Sequence, residues 1–103
     1  MVLKDVVSLD TTAQSLASPG AVSLSKTVTQ LVIDASGGSI TLAAGIVNQI
    51  KVITVVSSSG GTYTLSSNMA GNRVVSFTRV GDSAQLLFTN NKWHMIGGTA
   101  SIT

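Results

Sequence analysis

One histidine, His94, and four aspartates, Asp5, Asp10, Asp34 and Asp82, are the residues of this sequence best suited to moving protons; there is no Glu and no Cys. A Ser-His-Asp arrangement or a histidine metal centre would have to be assembled around His94. No second ligand stands at metal-site spacing from it. Asp82 and Ser83 precede it, but nearness in a loop is not the convergence of nucleophile, base and orienting carboxylate that such catalysis needs. The expected role of His94 is a partly exposed strand residue. The four aspartates fall at different turns or strand ends, so paired-carboxylate chemistry is not expected. Gly81-Asp82-Ser83 reads as a turn in which the carboxylate accepts backbone N–H groups. Gly37-Gly38 and Gly60-Gly61 lack a following Gly-Lys-Ser/Thr and a helix N-terminus, so they read as turns rather than phosphate cradles. Catalytic residues, cofactor and metal are all expected to be absent, and the chain is not expected to be an enzyme.

The six bases, Lys4, Lys26, Lys51, Arg73, Arg79 and Lys92, are scattered, and the net charge is only +2. With four aromatic residues in all there is little material for a basic stacking surface, so no nucleic-acid partner is expected. Nothing approaches the roughly 20 apolar residues of a membrane span, and MVLKDVVSLD lacks the apolar run of a signal peptide. A soluble product made in the cytoplasm, with no membrane partner, is the expectation.

Only 10% of the residues are charged, against about 25% in an ordinary domain. Short runs of Val, Ile, Thr and Leu alternate with Gly, Ser and Asn clusters along the whole sequence, the pattern of a sandwich or barrel. Strands are predicted over residues 2–9, 28–34, 39–42, 49–56, 62–66, 73–78, 84–89 and 92–96. Asn90-Asn91 suits a two-residue type I′ hairpin turn. Residues 10–20, ending in Pro19-Gly20, read as linker or arm, with TTAQSLAS alternatively a short helical turn. The expected fold is all-β: a small antiparallel β-sandwich or barrel, jelly-roll-like, over residues 21–103, with an N-terminal arm over residues 1–20.

The hairpin register can be derived. A two-residue loop places Thr89 opposite Lys92, Phe88 opposite Trp93 and Leu86 opposite Met95. One face then carries Ala84, Leu86, Phe88, Trp93 and Met95, which puts Trp93 in the core rather than on a sugar-binding surface; Tyr63 is not assigned. The other face carries Leu87 and Ile96 among polar residues. The 49–56 strand is also two-faced, with Ile50, Val52 and Val56 on one side and Ile53 and Val55 on the other, so it is expected to be buried on both sides. Contact with another copy of the chain covers such a second face most simply; a central strand capped by the arm is the alternative. The candidate oligomer and partner interface is therefore Ile50, Val52, Leu87 and Ile96, with Val2, Leu3, Val6 and Val7 of the arm.

The stretch GIVNQIKVITVVSSSGGTYTLSSN followed by RVVSFTRVGDSAQLLFTNNKWHMIGG, from Gly45 to Gly98, resembles small virion proteins of tailed phages: head-decoration proteins, head fibres and tail-fibre end domains. The shared theme is a Gln-x-Lys strand opening, a Gly-Gly turn, a Val-Gly-Asp-Ser turn, a Leu-Leu-Phe strand and a closing Trp-His-x-Ile-Gly. The resemblance implies a homotrimeric β structure on the virion surface, with the major capsid protein or another virion protein as partner. It favours a decoration or cement protein binding across capsid-subunit junctions through the arm. A head or tail fibre tip touching a host glycan or protein through residues 57–62 or 66–72 is the alternative it allows.

Overall fold

The computed structural model describes residues 12–103. They form β1 (Gln14–Leu16), β2 (Val28–Ile33), β3 (Gly38–Ile40), β4 (Ile50–Ser58), β5 (Tyr63–Leu65), β6 (Val75–Phe77), β7 (Ser83–Thr89), β8 (Lys92–Gly98) and β9 (Ser101–Ile102), with one 3-10 turn at Ala70–Asn72. The architecture is an all-β sandwich of two open sheets, ordered β1-β2-β4-β7-β8 and β3-β5-β6-β9. Alternation along each strand explains the core. Leu31 and Ile33 of β2, Ile53 and Val55 of β4, Leu86 and Phe88 of β7 and Trp93 of β8 meet Ile40, Tyr63, Leu65, Val75 and Phe77 of the smaller sheet in one buried cluster.

Both sheets are mixed rather than purely antiparallel: β1 with β2, β2 with β4, and β3 with β5 run parallel. The two Gly-Gly turns produce the last two of these pairings. Each carries the chain from the large sheet into the small one instead of closing a hairpin, so the strands before them come to lie side by side, as do the strands after them. The turns interlock through Gly38 N–H donating to Thr62 O at 2.9 Å and Gly61 N–H donating to Asp34 O at 3.1 Å. Gly37 adopts φ 69°, and its N–H is held by Asp34 Oδ1 at 2.7 Å. A Cβ on Gly61 would lie 2.2 Å from Asp34 O, so only glycine permits the approach.

The β7–β8 hairpin has the derived register, with Thr89 opposite Lys92, Phe88 opposite Trp93 and Leu86 opposite Met95. Asn90 and Asn91 take φ 52° and 64°, as a type I′ turn requires. Trp93 is buried against Phe88. Two strands lie outside the predicted set. Residues 14–16, read as linker or helical turn, form β1, because Gln14 is tied into the sheet on both sides: its Oε1 accepts from Ser23 N–H and Thr29 Oγ1, and its Nε2 donates to Ala21 O. β9 is too short to show alternation in a sequence and exists through pairing with β6. The strand predicted over residues 2–9 lies outside the described residues.

Candidate functional site

β4 is the central strand of the large sheet and decides what its outer face presents. Its inward residues Lys51, Ile53 and Val55 are buried. On the outer side Val52 is half-buried and Ile50 and Val56 are each 44% exposed. Among the described residues no element crosses the outer face of this strand, so the burial expected on both sides is not supplied by residues 12–103; most of the arm named as the alternative cover lies outside them.

Ile50 pairs with Leu87 across β4 and β7, and Val52 with Val28 across β2 and β4. Ile50, Val52 and Leu87 thus form one apolar patch, continued by the half-buried Val28. Ile96 stands where β8 bulges against the Gln85–Leu86 step and is 55% exposed. The structure accordingly brings Ile50, Val52 and Leu87 together with Ile96 on a neighbouring strand, while Val2, Leu3, Val6 and Val7 lie outside the described residues. Ile46 and Val47 are 77% and 67% exposed in the loop leading to Ile50. Sequence reasoning passed over them because alternation says nothing about loops; two branched apolar residues between glycine and asparagine were the available signal.

The residues weighed for chemistry occupy structural positions. His94 is half-buried, with Nε2 3.2 Å from Thr89 O. Asp82 Oδ2 accepts the N–H groups of Thr78 and Arg79, both at 3.0 Å, and these bonds hold its carboxyl below the usual carboxylate range. Tyr63 is buried, with its hydroxyl reaching Val32 O and Asp34 N–H at 3.4 Å. Among the described residues no three His, Cys, Asp or Glu side chains gather as metal ligands, and no helix is long and apolar enough to cross a membrane.

Two polar residues of the Gln-x-Lys opening act as ties. Gln49 accepts Ile46 N–H at Oε1 and donates from Nε2 to Leu24 O. Lys51 faces the core, fully buried, and donates from Nζ to Lys26 O at 2.6 Å. Burial pushes its ammonium down to about 8 from 10.5. Both side chains bind the segment before β2 to the sheet.

No family model, no curated protein and no solved structure matches the chain. What the described residues present is a partly exposed apolar sheet face with hydroxyl and amide groups around it.

Proposed function

We propose that this chain is a phage virion structural protein, a capsid decoration or cement protein that associates with copies of itself, as a homotrimer, and stabilises the head by binding across capsid-subunit junctions. The observation that carries the association is the apolar patch on the outer face of the large sheet, where exposed Ile50 pairs with half-buried Leu87 beside half-buried Val52, with exposed Ile96 on the next strand. The placing on a virion rests on the resemblance of the Gly45–Gly98 stretch to such proteins. The mechanism is contact area multiplied by copy number. Apolar surface leaves water at each contact, and several linked attachments make release of any one copy ineffective.

Light scattering during size-exclusion chromatography, over at least a tenfold concentration range, tests association. The expected mass is near three times the 10.5 kDa chain, and Leu87→Glu is expected to lower it toward one chain with the fold kept. A wild type that stays monomeric throughout overturns the self-association. Copy number in purified particles tests the role: a decoration protein approaches the abundance of the major capsid protein, whereas a fibre tip is scarce.

A further inference from the structure

β8 is the far edge strand of the large sheet, bridged in parallel by Met69 at Trp93 and open beyond that point. Trp93 turns its N–H outward to Asn68 O at 2.8 Å, and strand alternation turns the amide and carbonyl of Met95 to the same edge. No described residue bonds them there. Beside this edge lies an open cleft of about 260 Å³, floored by Met69, Trp93, Met95 and Ile102 and bordered by Arg73 and His94. Arg73 is exposed; its Nε donates to Thr103 O at 3.1 Å, and its outer guanidinium nitrogens have no partner among the described residues. A strand edge open at Met95, beside an apolar slot with a cation at its rim, fits an extended peptide segment that carries apolar residues and one acid.

We infer that the occupant is the N-terminal segment of a second copy of this chain, residues 1–11, added as a strand along β8. The sequence MVLKDVVSLD, extended, puts Leu3, Asp5, Val7 and Leu9 on one face. That is a carboxylate flanked by apolar side chains, the complement of Arg73 above the methionine-lined floor. The segment enters the described fold beside β1, the strand at the opposite edge of the sheet from β8. Within one chain it would have to cross four strand spacings, about 19 Å, out of a reach of about 36 Å for eleven residues, leaving about half of its length to pair.

Between copies the distance disappears. The inference rests on the self-association proposed above: when three copies turn the Ile50–Leu87 face toward a common axis, the sheets form a prism. At each of its corners the β1 edge of one copy meets the β8 edge of the next. Such a head-to-tail contact closes into a ring under cyclic symmetry. The strand then covers an edge that would otherwise invite uncontrolled pairing.

Charge reversal in the full-length chain tests this, read as mass by light scattering with the melting temperature as a check on folding. Asp5→Arg alone and Arg73→Asp alone are each expected to weaken association by roughly tenfold or more, as the loss of a charge-assisted contact does. The double substitution is expected to restore it. In an equimolar mixture of the two singly reversed chains a ring of three matches charges at two of its three corners, so the mixture is expected to associate more tightly than either variant alone and less tightly than the double substitution. A wild type that does not associate overturns the proposed self-association and this inference with it. A wild-type trimer indifferent to both reversals overturns the arm assignment alone. So does rescue by the double substitution with a mixture no tighter than either single variant, which would place the segment on its own chain.

Discussion

Phe88 and Trp93 face each other across the β7–β8 hairpin with ring centroids 5.1 Å apart and planes inclined at 67°, and Trp93 Nε1 donates to Ala43 O at 2.9 Å. The hairpin is thereby fastened to the loop before β4 as well as to the core. Trp93→Ala removes the largest buried side chain and leaves that carbonyl unpaired, so a loss of about 3–5 kcal/mol is expected in urea unfolding. Trp93 is also the only tryptophan, so native emission should be blue-shifted and should move red in one step on unfolding.

Lys51 gives stability an unusual pH dependence. Its pKa is about 8 in the folded chain against 10.5 when free, so between these values the unfolded chain holds the extra proton. Stability therefore rises with pH across that window. Thermal unfolding from pH 7 to 10 should show a rise on the order of 2–3 kcal/mol that is missing in Lys51→Met, a change that nearly keeps the volume.

Asp82 acts in the opposite sense at the acid end. Its folded pKa is depressed, so its contribution is complete above about pH 4 and is lost as pH falls through the folded value. Asp82→Ala is expected to cost about 1 kcal/mol at pH 7, the usual cost of removing a side-chain cap from backbone amides. Wild type and variant should converge in acid; a gap independent of pH would contradict the assignment.

Gly61→Ala places a methyl group against the backbone of the other Gly-Gly turn, 2.2 Å from Asp34 O and 2.6 Å from Gly37 N. Neither atom belongs to a flexible side chain. A loss of about 2 kcal/mol or more is expected, at the strained end of single substitutions. At Gly60 a Cβ would meet nothing, but φ 110° makes that change costly by backbone strain alone.

If the outer face is an interface, the melting temperature of the wild type should rise with protein concentration, because association stabilises the folded form by mass action. Leu87→Glu should remove that dependence while leaving the dilute melting temperature within a few degrees, since Leu87 points away from the core.

The strands were legible wherever one face is buried, because a period of two is written directly into residues such as Ile53 and Val55, or Leu86 and Phe88. The hairpin register was legible as well: two asparagines that accept positive φ leave a single pairing that separates the faces. β1 was hidden, since Gln14 and Ser15 look like loop residues until Gln14 finds its partners at Ala21, Ser23 and Thr29. The candidate face followed from Ile50, Val52 and Leu87, while Ile46, Val47 and the cleft at Met95 did not, because neither loop exposure nor the meeting of two sheet edges has a periodic signature.

By itself, then, the sequence determined the all-β class, the turn chemistry and the pairing within the hairpin, all of which depend on residues close together in the chain. Only the tertiary structure decided that the sheets are mixed, that Lys51 lies inside and that the described residues leave one face of the large sheet and part of its β8 edge without cover. Those outcomes depend on which strands become neighbours, and long-range pairing is settled by the fit of whole layers.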